Sequence, residues 1–204
     1  IDEIGRTPLP PYIHRDHRGQ DGDRERYQTI FASRRGAIAA PTAGLHFSGE
    51  IFDEIAERGV ETAEITLHVG YGTFEPVRAV DLGGHRVAPE RFEISEDAAA
   101  RLEKARLEKR RIVAVGTTTT RTLEYMIERH GHFAATTGNA DLTIVPDGQF
   151  KAIGALLTNF HLPQSSLLIL VATFGGHKLI MEAYRHAVAE RYRFYSYGDC
   201  MFIE

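Results

Sequence analysis

The chain has 204 residues and a mass of 22.8 kDa, which suits one domain with a normal hydrophobic core. A net charge of −4 argues against a generic nucleic-acid coat protein, because non-specific affinity for nucleic acid comes from neutralising phosphates. The single cysteine, Cys200, excludes an internal disulfide and fits a reducing cytoplasm, and the longest apolar run, 167–174, is too short to span a bilayer.

The first 26 residues are predicted to be an irregular, extended linker. A proline-rich stretch at 8–12 favours extended chain, and residues 18–26 are polar and contain glycine. From residue 27 onward, apolar periodicity returns. We therefore interpret 27–204 as one domain that follows a linker at 1–26.

Four helices are predicted from caps and from the spacing of apolar residues, at 48–59, 95–110, 119–130 and 177–192. Ser48 and Ser95 are N-cap candidates, and Gly59 and Gly131 are stop signals. Each helix has one apolar stripe that is expected to face the core. In the last helix this stripe consists of Ile180, Ala183, Tyr184, Ala187 and Val188.

Four strands are predicted at 64–69, 112–115, 142–145 and 154–157. The first alternates apolar and polar residues with a period of two, whereas 112–115 is continuously apolar, as expected of a strand covered on both faces. Strands that alternate with helices are typical of α/β layers. The expected fold is therefore a layered mixed sheet with helices on its faces.

Polar, glycine-containing turns follow several of these elements. The run Thr158–Pro163 places an amide and an imidazole, Asn159 and His161, where a buried strand ends. Open α/β sheets keep their ligand sites at the carboxyl ends of strands. Turns of the same kind occur at 41–47, 67–76, 116–121 and 194–199. We expect these separate segments to converge on one cleft.

Several short motifs recur in a fixed order from one end of the chain to the other. They are LPPYI (9–13), YQT (27–29), AAPTAGLHF (39–47), TLHVG (66–70), GTF (72–74), VGTT (115–118), Arg121, LE (123–124), TNFHLP (158–163), YRF (192–194) and SYGD (196–199). Together they resemble the S-adenosylmethionine:tRNA ribosyltransferase-isomerase family of queuosine biosynthesis. The resemblance covers the carboxyl-terminal part of that family's main domain, without its N-terminal portion and inserted β-barrel.

The resemblance implies a reaction. The ribosyl unit of S-adenosylmethionine is transferred to 7-aminomethyl-7-deazaguanine in the tRNA anticodon and isomerised, which gives epoxyqueuosine-tRNA and releases adenine and methionine. It implies S-adenosylmethionine as the ribosyl-donating substrate and tRNA as the partner. It also implies a cytoplasmic, monomeric enzyme with no membrane association. No metal is expected, because the histidines are scattered without ligand spacing.

Thirteen residues are candidates for the site. The implied reaction needs a base that removes a proton from the carbon next to the sulfonium. Because histidine is the usual proton carrier at neutral pH, the catalytic candidates are His46, His68 and His161. The substrate-binding candidates are Thr42, Gly70, Phe74, Gly116, Thr117, Thr118, Arg121, Asn159, Tyr197 and Asp199.

The binding candidates have specific expected roles. Residues 116–118 begin a helix whose first backbone amides attract an anion, either the methionine carboxylate or a tRNA phosphate. Arg121 is close enough in sequence to bind the same anion through two guanidinium N–H groups. Asn159 is expected to bind a base edge or a ribose hydroxyl, and Asp199 an amine. The aromatic rings of Phe74 and Tyr197 are expected to stack on a base or to face the sulfonium.

Two departures from the family pattern keep other functions open. Val87-Ala88 replaces a Met-His pair, and Gly154 stands where an acidic residue is expected. These losses favour a paralogue that uses S-adenosylmethionine on another acceptor. A non-catalytic RNA-binding module is a further alternative.

Overall fold

The computed structural model of the chain describes residues 9, 13, 23–70, 77 and 84–204. The helices are α1 (Asp23–Arg26), a 3₁₀ helix (Thr42–His46), α2 (Gly49–Glu57), α3 (Glu96–Leu107), α4 (Thr117–His130), α5 (Ser166–Gly175) and α6 (His177–Ala189). The strands are β1 (Thr66–His68), β2 (Glu90–Ile94), β3 (Val113–Val115), β4 (Thr136–Ala140), β5 (Ala155–Asn159) and β6 (Cys200–Ile203).

The strands form two three-stranded sheets. The first is antiparallel, in the order β1-β2-β4. The second is mixed, in the order β3-β5-β6, with β3 parallel and β6 antiparallel to β5. The α/β class is thus confirmed, although the described strands are divided between two small sheets. The absence of an inserted barrel and the boundary at residue 26 stay predictions.

The helix ends follow the predicted capping chemistry. The Ser48 hydroxyl accepts the Ile51 N–H at 3.4 Å, and the Ser95 hydroxyl accepts the Ala98 N–H at 3.2 Å. Helix α4 ends at Gly131 in the left-handed region, with φ 73°. These three helices therefore lie where their caps predict, although α4 begins two residues early.

Several strand predictions were wrong. Residues 142–145 form no strand, and β2 pairs instead with the unpredicted β4. One reason is that the Leu142 carbonyl accepts from the side chain of Arg121, 3.0 Å away. Strand β3 is covered on one face only, since Val113 is 43% exposed. Strands β2 and β6 were not predicted.

Two helix predictions also need correction. The apolar run 167–174, which carried no helix prediction, lies in α5, capped by the Ser165 hydroxyl that accepts the Leu168 N–H at 3.2 Å. Helix α6 ends at Ala189, and its predicted core residue Val188 is 66% exposed. Side-chain burial in α6 thus follows a narrower stripe than the one predicted.

One hydrophobic core joins both sheets and four helices. It contains Phe92 and Ile94 from β2, Leu156 from β5, Met126 from α4 and Leu170 from α5. Within the described residues no single helix is long and apolar enough to cross a membrane, and only α5 and α6 taken together, bent by 117°, reach the required length and hydropathy.

Helix α4 also carries a buried carboxylate that organises the chain before β5. Glu124 is 5% exposed and accepts three backbone N–H groups, from Lys151 at 2.8 Å, Ala152 at 2.9 Å and Ile153 at 3.1 Å. These three amides would otherwise lack a strand partner at the entry to β5. Glu124 therefore fixes the point at which β5 begins.

We expect Glu124→Gln to lower the free energy of unfolding by about 2 kcal/mol, because an amide cannot accept from all three N–H groups and weakens charge-assisted hydrogen bonds. Urea titration followed by circular dichroism measures this change. Glu128→Gln, one turn further along the same helix and exposed, is the matched control and should change stability by less than about 0.5 kcal/mol. Equal effects of the two substitutions would contradict the anchoring role.

Candidate functional site

A cavity lies at the carboxyl ends of β3 and β5. The two strands are parallel, and the Gly116 N–H extends their pairing by donating to the Leu157 carbonyl at 2.8 Å. The polar residues that line the cavity are Thr42, Thr117, Thr118, Thr119, Thr158, Asn159, His161, Tyr195 and Ser196. Six of the predicted site residues, Thr42, Gly116, Thr117, Thr118, Asn159 and His161, thus share one cavity.

The 3₁₀ helix covers this edge of the sheet. Its Gly44 N–H closes the turn on the Pro41 carbonyl at 2.8 Å, and Ala43 packs against Gly116. The preceding chain is held by Val69, whose carbonyl accepts the Ile38 N–H at 3.0 Å. The small residues of this segment allow close packing on the sheet and leave Thr42 on the cavity wall.

Asn159 is the most constrained polar residue in the cavity. It is 2% exposed, and its amide nitrogen donates to the Tyr195 carbonyl at 3.0 Å and lies 3.4 Å from the Gly198 carbonyl. Two carbonyl acceptors fix which end of the amide is nitrogen. The Oδ1 atom is left buried, with no hydrogen-bond partner among the described residues.

His46 lies on the 3₁₀ helix beside Asn159. Its Nε2 atom is 3.3 Å from the Asn159 amide nitrogen, so the imidazole of the 39–47 motif lies against the amide of the 158–163 motif. Partial burial lowers the His46 pKa below its ordinary value, while the nearby Asp199 carboxylate opposes the shift. His46 is therefore mainly neutral at pH 7.

His161 is held from two sides. Its Nε2 atom lies 2.9 Å from the Thr158 hydroxyl, and its backbone N–H donates to the Tyr184 hydroxyl at 2.8 Å. Burial lowers the His161 pKa to about 4 and raises the Tyr184 pKa to about 12, so both side chains are neutral at pH 7.

An aromatic cluster fixes the turn that carries these groups. Phe160 packs against Tyr184, Tyr192 and Phe194, with ring centroids 5.3 to 5.8 Å apart. Because Phe160 is buried between Asn159 and His161, it holds both neighbours in place.

The amino end of α4 points its first amides toward the cavity. Gly116 is its N-cap, with φ 91°, and within the described part of the chain no side chain caps this helix. The first amides of a helix have no intrahelical acceptor and carry partial positive charge. The predicted anion-attracting character of 116–118 thus has a structural basis.

Arg121 does not serve this cavity as predicted. It is 3% exposed, and its guanidinium donates to Glu90 at 2.8 Å and to the carbonyls of Ala88, Ala140 and Leu142 at 3.0 to 3.4 Å. The Arg121 guanidinium is therefore hydrogen-bonded within the protein, and a ligand carboxylate or phosphate cannot reach it.

Three further candidates, His68, Gly70 and Tyr197, do not line the cavity. The His68 ring packs on Gly36, where an added Cβ would lie 2.6 Å from Nδ1, and Gly70 follows β1 in open surroundings. Tyr197 packs edge-on against Tyr27 at 5.6 Å. Phe74 lies outside the described residues.

Asp199 closes a turn. Its carboxylate accepts the Arg193 backbone N–H at 2.7 Å and the Arg193 guanidinium at 3.3 Å, and the first of these hydrogen bonds is the main reason that the Asp199 pKa is lowered. It therefore acts on the site through the charge it presents to His46.

Sequence reasoning did not include four cavity residues with hydroxyl groups among its candidates, namely Thr119, Thr158, Tyr195 and Ser196. Ser196 and Tyr195 enter because β6 is antiparallel to β5, with Cys200 opposite Asn159. No pattern in the sequence predicted the pairing of β6 with β5. Among the described residues no group of three or more metal-ligating side chains is found.

Comparison with known proteins gives a consistent result. A family model described as "Queuosine biosynthesis protein" matches residues 1–203. The chain is 51% identical over 203 residues to a protein of Syntrophotalea carbinolica and 52% identical over 203 residues to one of Geobacter sulfurreducens, both named S-adenosylmethionine:tRNA ribosyltransferase-isomerase. Each match covers 100% of this chain and 59% of the relative, so the chain spans about three fifths of their length.

A solved structure is also similar. The crystal structure of S-adenosylmethionine tRNA ribosyltransferase from Thermotoga maritima matches with a TM-score of 0.66 and 44% sequence identity. The match covers 79% of this chain and 51% of that chain.

The buried, neutral state of His161 predicts a pH-dependent stability. The pKa of His161 in the folded chain, about 4, lies below the ordinary histidine pKa of 6.5, so the unfolded chain binds more protons between these pH values. Stability should therefore fall as pH drops through this window, by up to about 1.4 kcal/mol per pH unit. Urea unfolding at about pH 7 and about pH 5 measures it, and His161→Gln should reduce the difference while exposed His177→Gln should not.

The Arg121 assignment predicts a loss of stability. Arg121→Ala leaves the Glu90 carboxylate buried without its cation and should cost about 3–5 kcal/mol in thermal or urea unfolding. Arg129→Ala, on the same helix with an exposed ion pair to Asp141, should cost less than about 1 kcal/mol. Unchanged stability of Arg121→Ala together with weaker binding of S-adenosylmethionine would restore the original interpretation.

Proposed function

Because the chain belongs to the queuosine biosynthesis protein family, we propose that it transfers the ribosyl moiety of S-adenosylmethionine to 7-aminomethyl-7-deazaguanine in tRNA and isomerises it. The products are epoxyqueuosine-tRNA, adenine and methionine. The observation that carries this proposal is the identity of about one half, over the whole chain, to proteins named for this activity. The proposed partners are tRNA and S-adenosylmethionine, and the proposed setting is a cytoplasmic monomer.

We propose His46 as the base that removes a proton from the carbon next to the sulfonium. A base works best when its pKa lies near the working pH. The His161 pKa of about 4 is too low, whereas His46 is only partly buried and its lowered pKa is opposed by Asp199. The Asn159 amide nitrogen lies 3.3 Å from the His46 Nε2 lone pair, which is the lone pair that takes the proton. Because the amide also has the Tyr195 and Gly198 carbonyls as acceptors, His46 can leave this partner when the substrate binds.

We propose that His161 and its neighbours bind rather than transfer protons. Burial keeps the His161 imidazole neutral, so it can donate or accept a hydrogen bond without changing charge. Thr42, Thr117 and Thr118 also line the cavity with hydroxyl groups. The chemistry proposed uses imidazole and backbone amides and does not call for a metal.

Neither Val87-Ala88 nor Gly154 lines this cavity. Gly154 precedes β5, about 16 Å from Asn159 at about 3.3 Å per strand residue. The Val87 N–H donates to the Thr143 hydroxyl and the Ala88 carbonyl accepts from Arg121, so both backbone groups are used within the fold. The two substitutions therefore leave the cavity lining unchanged, which favours the family reaction over that of a paralogue with another acceptor.

Nucleoside analysis tests the proposal. The purified protein is incubated with S-adenosylmethionine and tRNA that carries the deazaguanine base, and digested tRNA is examined by mass spectrometry. Epoxyqueuosine together with free adenine is expected. Adenine release without epoxyqueuosine would indicate another acceptor, and tRNA binding without turnover would indicate a non-catalytic RNA-binding module.

We expect His46→Gln to lower the turnover rate by about 10²–10⁴-fold, the usual contribution of a general base. Since the His46 pKa lies below 6.5, turnover of the unsubstituted protein should be high at pH 7 and fall as the pH drops below that pKa. Single-turnover adenine release measures both effects. His130→Gln, at an exposed position, is the control, and full activity of His46→Gln with normal folding would remove His46 from the mechanism.

A further inference from the structure

Two features of the cavity favour different groups in a ligand: one favours an anion and the other a hydrogen-bond donor. The α4 amides, in the first turn after Gly116, present partial positive charge and attract an anion. Asn159 Oδ1, by contrast, is an acceptor in a residue that is 98% buried, and within the described chain nothing donates to it. A buried acceptor without a donor costs free energy, so a bound ligand that donates to it is favoured.

A second acceptor lies beside the amides. The Thr118 hydroxyl donates its single hydrogen to the Glu90 carboxylate at 3.3 Å. Only its lone pairs therefore remain for a ligand. Thr118 and Asn159 line the same cavity, so a positively charged or hydrogen-rich group fits between them, next to the anion at the helix end.

The wall of the cavity carries no net charge. Among its described lining residues there is no aspartate, glutamate, lysine or arginine, and His161 is neutral. The nearby buried charges, Glu90 and Arg121, neutralise one another. An isolated phosphate would enter without a counter-charge, whereas a group that carries both charges brings its own.

The size of the cavity fits a small group. Its volume is ≈ 50 Å³, and one water needs about 10–15 Å³ on a comparable measure. The space therefore admits a few non-hydrogen atoms and excludes a whole nucleoside. An ammonium, a carboxylate and the carbon between them have that size.

We infer that this cavity binds the α-amino-acid end of S-adenosylmethionine, with the carboxylate on the first amides of α4 and the ammonium on Asn159 Oδ1 and the Thr118 hydroxyl. The inference rests on the proposed function, and it selects the methionine carboxylate over a tRNA phosphate for 116–118. The adenosyl part of the substrate then extends out of the cavity toward His46.

Calorimetric titration of the purified protein with three neutral-sulfur probes tests the inference. S-adenosylhomocysteine has the complete amino-acid end, 5′-(3-aminopropylthio)-5′-deoxyadenosine lacks the carboxylate, and 5′-methylthioadenosine lacks both charged groups. Each lost charge-assisted contact should weaken binding about 10-fold to 100-fold. Relative to S-adenosylhomocysteine, the aminopropyl probe should therefore bind about 10-fold to 100-fold more weakly, and 5′-methylthioadenosine about 10²-fold to 10⁴-fold more weakly.

A substitution gives an independent readout. Thr118→Val removes the hydroxyl acceptor at nearly constant volume and should weaken S-adenosylhomocysteine about tenfold while leaving 5′-methylthioadenosine unchanged. Exposed Thr62→Val is the control and should affect neither probe. The probe series on the unsubstituted protein decides the question even if Thr118→Val does not fold.

The outcomes separate this inference from the proposed function. Equal affinity for S-adenosylhomocysteine and 5′-methylthioadenosine would overturn the amino-acid subsite and leave adenosyl binding intact. Equal affinity for S-adenosylhomocysteine and the aminopropyl probe would overturn the placement of the carboxylate. No binding of any of the three probes would overturn both the subsite and the use of S-adenosylmethionine.

Discussion

The parallel pairing of β3 with β5 is the constraint on which the site depends. With Val115 opposite Leu157, the chain that leaves β3 and the chain that ends β5 emerge at the same edge of the sheet. That edge therefore receives the first turn of α4 and Asn159 together. Antiparallel β6 completes it, because the pairing of Asn159 with Cys200 delivers Ser196 from the other direction. Three segments far apart in sequence meet through two strand registers.

Helix α4 makes this edge rigid because two of its charged side chains, Arg121 and Glu124, are buried and hydrogen-bonded to both sheets. Arg121 is paired with Glu90 of the first sheet, and Glu124 accepts the amides that precede β5 in the second. Buried charges tolerate few rearrangements, since a displaced partner leaves an unpaired charge in a low-dielectric interior. The helix therefore holds the two sheets in one relation, and its amino end is aimed at the cavity as a consequence.

Helix caps could be predicted from the sequence more reliably than the pairing of distant strands. Caps at Ser48 and Ser95 and the stop at Gly131 depend on neighbours three or four residues away, so they could be predicted. Strand β4, with the sequence Thr-Thr-Gly-Asn-Ala, has no apolar alternation and forms only because β2 pairs with it. The apolar run of α5 has no periodicity that separates helix from strand.

The same limit applied to the site. Asn159 and His161 were identifiable because they follow a buried strand, whereas the partner of Arg121 could not be known before the fold placed Glu90 against it.

An uncharged cavity suits chemistry that begins from a sulfonium. A carboxylate base would attract the positive sulfur and stabilise the bound substrate. The sulfonium would then acidify the adjacent C–H bond less strongly. Neutral His46 and neutral His161 leave the sulfonium charge uncompensated in surroundings where electrostatic effects are stronger than in water. When His46 takes the proton, the new positive charge forms near Asp199, which favours the protonated ring. The Arg193 guanidinium that pairs with Asp199 opposes this effect but is the weaker of the two influences on the His46 pKa. In the proposed reaction, the positive charge that forms on His46 is thus stabilised by the Asp199 carboxylate.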